Sequence, residues 1–358
     1  MSADASVVRV DAQELRDLAA LALTRRGASL AHARIQADHL VAAELRGHPS
    51  HGLRRLDVLV ARIEKGLIDP ASQPVLQWTA AAALTVDGAR GFGPVVAYEA
   101  IAALRERLPE TGVAIAALHR THHLGILAPY IEELAAAGLV GLMLSSTEGL
   151  VHPWGGAGAL LGTNPIAIGV PASGGDLAVD MSTGAVSAGK ILDYRAKGMT
   201  LPEGWAVDAA GHRTTDAAAA AEGAISPFGG PKGYALGLAF GAIVGALTGT
   251  ALGPDVHGTL DTESEVSKGD VIIAIDPVLF AGSDTRNALG DYFALIRRSG
   301  ADGSSVTVPG DRARAARDQA SADGVALSAD VWARLVQLSE DTDLAGVPAV
   351  ADRNEDRS

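Results

Sequence analysis

Residues 112–145 read GVAIAALHRTHHLGILAPYIEELAAAGLVGLMLS. The apolar run at 112–118 predicts a strand, the periodic run at 127–137 predicts a helix, and 139–145 predicts a second strand. Strands that alternate with helices are typical of an α/β or α+β domain. This stretch therefore decides the fold class.

The same alternation continues on both sides of this stretch. Further strands are predicted at 82–87, 166–170, 177–181 and 270–275, and a further helix at 94–107. The ends of the chain differ, because their periodic apolar runs predict helices within 9–47, at 56–66 and over 313–338. The charged segment 348–358 is predicted to be a disordered tail.

Composition excludes several classes of protein. The chain has 358 residues, a formal net charge of −13 and no cysteine. The absence of cysteine excludes disulfides, thiolate catalysis and cysteine-ligated metal centres. Without a long basic stretch, nucleic acid is not expected as a partner, because binding a polyanion needs a concentrated positive face. No apolar run follows a basic one near the N-terminus, so we expect no signal peptide and a cytoplasmic location.

The segment 233–252 contains no charged residue and carries a glycine at every fourth position. Repeated glycine at this spacing lets helices approach closely, in membranes as well as in compact proteins. We predict a buried helix whose smooth strip packs against a neighbouring element. A membrane span is the alternative, since the segment is about long enough to cross a bilayer.

Two glycine-rich segments resemble nucleotide-binding loops without matching them. Gly156, Gly158 and Gly162 do not have the spacing of a dinucleotide-binding loop. The segment 184–190, GAVSAGK, fits the phosphate-binding pattern G-x-x-x-x-G-K, but Ile191 follows where that loop needs a hydroxyl for Mg²⁺. A P-loop-like nucleotide-binding protein that uses Gly184–Lys190 is therefore kept as an alternative from another class.

The segment 50–55, SHGLRR, combines a histidine with an arginine four residues later. Reduction of a ketone by hydride creates an alkoxide, which a histidine can protonate. An acid substrate also needs a cation, and arginine binds a carboxylate with parallel hydrogen bonds. On a helical turn, His51 and Arg55 would share one face. A helix cap or a surface histidine is the alternative.

A second group of histidines comprises His119, His122 and His123. A metal site is conceivable because histidine is a common metal ligand. Adjacent side chains point apart, however, and no carboxylate lies at ligand spacing, so we predict no metal. Asp180 ends an apolar run and could either orient a histidine or act as a turn residue.

In their order along the chain, these segments resemble the malate/L-lactate dehydrogenase family, which lacks a Rossmann fold. The resemblance covers about residues 10–340. It is carried by RG at 46–47, SHG at 50–52 with Arg55, GLI at 66–68, His123 with Gly125, PWGG at 153–156, LGTNP at 161–165, VDMS at 179–182, LPEGW at 201–205, GPKGY at 230–234 and PG at 309–310.

The resemblance implies an oxidoreductase that transfers a hydride between NAD or NADP and a small 2-oxo or 2-hydroxy acid. Reduction of a cyclic imino acid, piperideine- or pyrroline-2-carboxylate, is the alternative within the family. His51 matches the proton donor, His123 a second active-site histidine that competes for that role, Arg55 the residue facing the substrate carboxylate, and Asp180 an aspartate paired with the catalytic histidine. Substrate contacts are also expected from Ser50 and Asn164.

The implied cofactor contacts are Thr147, Val179, Asp180, Met181, Ser182, Thr183, Pro231, Lys232, Pro309, Gly310 and Asp311. The implied fold is α/β (α+β), with a non-Rossmann NAD(P)-binding domain at 77–309 built on a mixed sheet. A helical domain for substrate and dimer contacts is expected from 1–76 together with about 310–345. The resemblance further implies a homodimer or larger homo-oligomer.

Overall fold

The computed structural model describes residues 7–259 and 261–340. Within these residues the α-helices are α1 (Ala12–Thr24), α2 (Leu30–Leu45), α3 (Leu56–Glu64), α4 (Gly93–Thr111), α5 (Ala128–Ala136), α6 (Ala188–Ala196), α7 (Ala217–Glu222), α8 (Pro231–Thr248), α9 (Val278–Ala281), α10 (Thr285–Arg297), α11 (Asp311–Asp323) and α12 (Ala329–Glu340). The strands are β1 (Val7–Val10), β2 (Val75–Ala80), β3 (Ala83–Asp87), β4 (Val113–His119), β5 (Val140–Ser145), β6 (Ile166–Val170), β7 (Leu177–Met181), β8 (Ala206–Val207), β9 (Arg213–Thr214), β10 (Ala224–Ile225), β11 (Gly269–Ile275) and β12 (Val325–Ser328).

A seven-stranded sheet in the order β2-β3-β4-β11-β5-β6-β7 forms the centre of the fold. β3 and β4 run parallel, and the other neighbouring pairs are antiparallel. The predicted mixed α/β fold is therefore confirmed. β11 comes late in the sequence but lies between β4 and β5 in the sheet. The two strands of the β4–α5–β5 unit are therefore separated by a strand that is distant in sequence.

Alternation along β11 explains how the sheet acquires two covered faces. Ile272 and Ala274 are buried with residues of α4 and α5, whereas Val271 and Ile273 pack with Val244 of α8. Successive side chains of a strand point to opposite faces, so a continuous apolar run is what a strand buried on both sides requires.

The predicted helix over 313–338 is wrong, because β12 interrupts it. Gly324 adopts a φ of +82° and ends α11, and Val325 and Leu327 then alternate with more exposed neighbours. β12 pairs antiparallel with β1, near the other end of the chain. A partner so distant in sequence leaves no local signal, and four residues between two helical runs are easily read as helix.

The other predicted strands and helices are present with shifts of a few residues at most, and those at 166–170 and 177–181 match β6 and β7. β2 and α10 were not predicted. Residues of α1, α2, β12 and α12 share one hydrophobic core, which also includes Phe92 and Val95. The domain boundaries stay a prediction, and the predicted tail at 348–358 lies outside the described residues.

The glycine strip of α8 packs against the segments that follow β5 and β7. Gly233, Gly237 and Gly241 are buried. A Cβ at Gly237 would lie 2.7 Å from Thr183 Oγ1, and one at Gly241 would lie 2.7 Å from Asn164 Nδ2. The predicted close approach is therefore present, and it serves contacts with polar loops as well as with the sheet.

The opposite face of α8 is open rather than buried, which corrects the prediction of a fully buried helix. Its exposed apolar side chains are Leu236, Leu238, Ile243 and Leu247. Among the described residues, no helix combines the length and the apolar character needed to cross a bilayer.

We expect Gly233→Ala to destabilise the protein. An added Cβ would lie 1.8 Å from the carbonyl oxygen of Phe228, so backbone must move, at a cost of about 1–3 kcal/mol. Thermal or urea unfolding measures the difference. Gly189→Ala is the matched control, because a Cβ there meets nothing within 4 Å and alanine favours the helix. Equal stability of the two variants would contradict the close approach.

Candidate active site

The turn that carries His51 is held by a buried glutamate at the end of α2. Two 3₁₀ segments, Pro49–His51 and Leu53–Arg55, connect α2 to α3. Glu44 Oε1 accepts a hydrogen bond from the Leu53 N–H at 2.8 Å. A Cβ at Gly52 would lie 2.1 Å from the same oxygen, so only glycine fits beneath the carboxylate. Glu44 was not predicted from the sequence, although it lies close before the SHG motif.

His51 and His123 stack face to face. Their ring centroids lie 5.4 Å apart with an interplanar angle of 30°. His51 Nδ1 lies 3.0 Å from the hydroxyl oxygen of Ser50. Both rings line one cavity together with Arg55, so three of the predicted catalytic residues lie at one place.

A backbone hydrogen bond determines which ring nitrogen of His123 carries the proton. The N–H of Gly125 donates to His123 Nδ1 at 3.0 Å. Because Nδ1 accepts, the proton of the neutral ring lies on Nε2. His123 therefore presents an N–H donor and is fixed in that tautomer by the chain two residues later.

Both rings are neutral near pH 7. Burial in the cavity, followed by the positive charge of Arg55, lowers the pKa of His51 to about 4. The same two causes hold the pKa of His123 well below its usual range. A group that relieves the charge of Arg55 would therefore favour protonation of both rings.

Arg55 is held by a loop that was not predicted to be near the site. Its Nη2 donates to the carbonyl oxygen of Thr259 at 3.1 Å. Glu148 accepts from the Thr259 N–H at 2.8 Å and from the Thr259 hydroxyl. Burial lowers the pKa of Arg55 while Glu148 opposes that shift, and an arginine remains charged at any physiological pH.

The cavity is narrow, with a volume of about 20 Å³, which is about the room that one water molecule needs. One face of α2, one face of α3 and two loops enclose it. The lining residues are Gln36, His39, Leu40, His51, Arg55, Val58, Leu59, Arg62, His122, His123, Gly125, Gly258 and Thr259. The sequence analysis did not single out Gln36, His39 or Arg62. A signal existed, since these polar residues lie at helical spacing from apolar or catalytic ones.

His122 also lines the cavity and has a contact with the backbone. Its Nε2 donates to the carbonyl oxygen of Leu67 at 2.9 Å. Burial lowers the pKa of His122 to about 3, so the ring is neutral. Within the described part of the chain, no three histidine, aspartate or glutamate side chains are arranged to hold a metal ion.

Asp180 contacts the loop behind His123 rather than a histidine ring. Its Oδ2 accepts from the N–H groups of Leu127 at 2.7 Å and Ala128 at 2.8 Å, at the start of α5. Among the described residues no hydrogen bond joins Asp180 to His51 or His123. The predicted pairing of Asp180 with the catalytic histidine therefore stays a prediction.

Asn164 links two of the predicted cofactor segments. Its Oδ1 accepts from the N–H of Thr147 at 3.2 Å, and its Nδ2 donates to the carbonyl oxygen of Gly237 at 2.9 Å. Both ends of the amide thus bind backbone, and Asn164 is not among the residues that line the cavity. Its predicted contact with the substrate stays a prediction.

The predicted cofactor residues lie in β7, which is an edge strand of the central sheet, and in four further segments. Val179, Asp180 and Met181 belong to β7, with Ser182 and Thr183 directly after it; Pro231 and Lys232 begin α8, Pro309, Gly310 and Asp311 lie at the start of α11, and Thr147 follows β5.

Hydrogen bonds join these segments to the two ends of β7. The N–H of Ala178 donates to the carbonyl oxygen of Pro309 at 3.1 Å, and the N–H of Phe228, in the loop before α8, donates to the carbonyl oxygen of Thr183 at 3.0 Å. Thr163 N donates to Thr147 Oγ1 at 2.8 Å, which places Thr147 beside the same end. An extended ligand laid along β7 would reach all of them.

The chemistry of these segments fits a dinucleotide with phosphate groups. α8 and α11 begin at Gly230 and Gly310, and neither helix has a side-chain cap at its N-terminus. Uncapped N–H groups at a helix N-terminus bind phosphate well. Lys232 is exposed in the first turn of α8, whereas Asp311 is bound by Arg297 and Arg314.

The Gly184–Lys190 segment does not form a phosphate cradle. α6 begins before Lys190, with Ser187 as its cap, and the N–H of Ala185 donates to Ser226 O. Lys190 Nζ lies 5.4 Å from the centre of the Tyr194 ring on its own helix. The geometry offers no support for a P-loop-like function.

Comparison with known proteins places this geometry in a family. Residues 10–336 match the family model described as malate/L-lactate dehydrogenase. The malate/(S)-sulfolactate dehydrogenase of Methanothermus fervidus is 35% identical over 94% of this chain and 98% of its own length. The Delta(1)-pyrroline-2-carboxylate reductase 2 of Burkholderia multivorans is 34% identical, again over 94% of this chain and 98% of its own length.

A solved structure gives the same result for the fold. The crystal structure of a dehydrogenase from Sinorhizobium meliloti superposes with a TM-score of 0.89 and 46% identity, and the match covers 94% of this chain and 99% of that one. The chain therefore belongs to the malate/L-lactate dehydrogenase family of oxidoreductases.

Proposed function

We propose that the protein reduces a small 2-oxo acid to the 2-hydroxy acid, and catalyses the reverse reaction, with NAD or NADP. The observation that carries this proposal is the stacked pair His51 and His123 beside Arg55 in one cavity. Arg55 holds the substrate carboxylate in a charge-assisted hydrogen bond. The carbonyl oxygen then lies within reach of the imidazoles.

The charge of Arg55 couples substrate binding to proton uptake. In the free protein both rings are neutral, which makes them weak proton donors. A carboxylate bound at Arg55 offsets the charge that lowers their pKa values, so a ring gains a proton as the substrate binds. We assign the donor to His51, and His123, with its N–H on Nε2, positions the same oxygen.

The N-termini of α8 and α11 and Lys232 would hold the phosphates of the cofactor, and Thr147 and Thr183 would contact it. When bound, the nicotinamide would supply or accept the hydride. Asp180 fixes the loop after His123 through Leu127 and Ala128, and thereby the position of the ring relative to the cofactor.

Reduction of a cyclic imino acid is the second candidate. A protonated imine needs no proton from the protein, and the neutral state of His51 and His123 suits such a substrate. Relatives of both kinds match this chain at almost the same identity. Both reactions use the same carboxylate clamp and the same cofactor.

We also propose that the chain forms a homodimer through the outer face of α8. Its exposed side chains Leu236, Ile243 and Leu247 form an apolar surface on a helix whose other face supports the cofactor segments. Exposed apolar patches of this kind are typical of protein contacts.

We expect His51→Gln to lower kcat for reduction of a 2-oxo acid by roughly a hundredfold or more, because general acid catalysis contributes about 10²–10⁴. NADH affinity, measured by fluorescence titration, should stay within about twofold, since His51 lies outside the β7 segments. His48→Gln, an exposed histidine of the same turn, is the control. Normal turnover in His51→Gln would end the assignment of His51 as donor.

We expect Arg55→Met to raise the pKa of His51 above its value of about 4, because the charge of Arg55 is, after burial, the largest cause that lowers it. An NMR titration of the His51 ring, assigned with His51→Gln, measures the midpoint. Saturating oxamate, a carboxylate probe, should raise the midpoint in the wild type but not in Arg55→Met. Arg54→Met, with an exposed side chain, is the control. An unchanged midpoint in Arg55→Met would refute the electrostatic coupling.

We expect Leu247→Glu to convert a dimer into a monomer in sedimentation velocity, since a charge is costly in an apolar contact. Leu192→Glu, which changes a similarly exposed leucine on α6, should leave the dimer intact. A wild-type monomer, or a dimer that tolerates Leu247→Glu, would exclude this face as the interface.

A further inference from the structure

We propose that the inner part of the active-site cavity is a subsite for an uncharged hydrogen-bonding group, a hydroxyl or an amide, on the carbon chain of the acid substrate. This inference rests on the proposed function and narrows its substrate class. Three buried side chains that line the cavity carry it: Gln36, His39 and Arg62. They are 3%, 2% and 1% exposed.

His39 provides an acceptor whose identity the backbone determines. Its Nε2 lies 2.9 Å from the carbonyl oxygen of Ile126, so this nitrogen carries the proton. The ring is neutral, since burial lowers the pKa of His39 to about 3. Nδ1 is then a bare acceptor, and it is buried without a hydrogen-bond partner among the described residues.

Gln36 lies three residues earlier on α2, on the same face as His39. Its Oε1 is buried and has no partner among the described residues. A buried polar atom left unsatisfied costs about 1–3 kcal/mol. Two such atoms on one helix face, both belonging to side chains that line one cavity, indicate that something with a donor group completes them.

Arg62 supplies a donor from the facing helix. Its Nη1 and Nη2 donate to the carbonyl oxygens of Asp261 at 2.6 Å and Ser264 at 2.8 Å, which fixes the guanidinium. Its Nε is buried and has no partner within the described residues. The subsite therefore combines acceptors from α2 with a donor from α3.

The set of groups discriminates between substrate tails. A hydroxyl or an amide both donates and accepts, so it can satisfy His39 Nδ1 or Gln36 Oε1 together with Arg62 Nε. A carboxylate or sulfonate tail cannot donate to either acceptor, and an alkyl tail leaves every group unsatisfied. Buried polar groups reject an analogue that lacks the matching hydroxyl far more strongly than an apolar pocket rejects an extra one.

The subsite lies directly beside the reacting group. A Cβ at Gly125 would lie 2.4 Å from Cδ2 of the His39 ring, and the N–H of Gly125 binds His123 Nδ1. His39 and the catalytic imidazole are thus separated by one glycine. We infer that a short tail on a substrate bound at Arg55 extends toward Gln36 and His39, which line the same cavity.

Isosteric substrate pairs test this directly. One pair is 3-hydroxypyruvate and 2-oxobutanoate, and a longer pair is 4-hydroxy-2-oxobutanoate and 2-oxopentanoate; within each pair a hydroxyl replaces a methyl. We expect the wild-type enzyme to prefer the hydroxylated member of at least one pair by about tenfold or more in kcat/KM. Gln36→Met should reduce that preference at least threefold, and His39→Phe, which keeps the ring, should reduce it further.

Val58→Ala is the matched control, because Val58 lines the same cavity without a polar group. It should change both members of a pair equally and leave the ratio intact. The ratio is informative even if His39→Phe fails to fold, since Gln36→Met tests the same subsite.

A wild-type ratio near one in both pairs would overturn the subsite, with a resident water satisfying these groups. A high ratio that survives Gln36→Met would overturn it as well. If the enzyme reduces pyruvate but shows no preference within either substrate pair, the subsite is refuted while the proposed function stands. If neither NADH nor NADPH reduces any 2-oxo acid, the proposed function fails, and the subsite fails with it.

Discussion

The positive charge of Arg55, placed beside two half-buried imidazoles in one cavity, is the interaction on which the proposed chemistry of this site depends. It lowers the pKa of His51 and of His123 at once, and both rings are already disfavoured as cations by burial. The charge itself is held by the carbonyl oxygen of Thr259. In our proposal the neutral rings are weak proton donors in the free protein, and a carboxylate bound at Arg55 favours protonation of one of them. Recognition and activation of the proton donor are then one electrostatic event.

The supports of this arrangement come from distant parts of the chain. Glu44 fixes the turn before Arg55, and Glu148, which follows β5, fixes Thr259 on the other side. Asp180 at the end of β7 holds the loop that carries His123. Three carboxylates thus bind backbone N–H groups around the site, and none is described as bonded to a catalytic imidazole. They act by fixing backbone, and Arg55 is, after burial, the largest cause of the low pKa values of the two histidines.

Local pattern was enough to predict much of this fold. β6 and β7 were predicted with the observed bounds because alternating apolar runs between turns define a strand without knowledge of its partner. β12 was missed because its only strand partner, among the described residues, is β1, at the other end of the chain. The predicted histidines and Arg55 do line one cavity, since the SHG turn and the strand β4 bring them there. The helical spacing of Gln36 and Arg62 was a weak signal, but it could not show that the two side chains meet, because that depends on α2 and α3 lining one cavity.

The unsatisfied polar atoms on α2 and α3 lower the stability of the fold, and in our proposal they also contribute to substrate selectivity. Each buried polar atom without a partner costs about 1–3 kcal/mol in the free protein. α1, α2 and α12 also pack apolar side chains into one common core. A substrate tail that forms hydrogen bonds with Gln36, His39 and Arg62 recovers part of the free-energy cost of the unsatisfied atoms on binding. This cost thereby contributes to selectivity for a matching tail. In our proposal the buried polar groups of Gln36, His39 and Arg62 determine substrate specificity. Gly125, which lies against His39 and binds His123 Nδ1, places them close to His123.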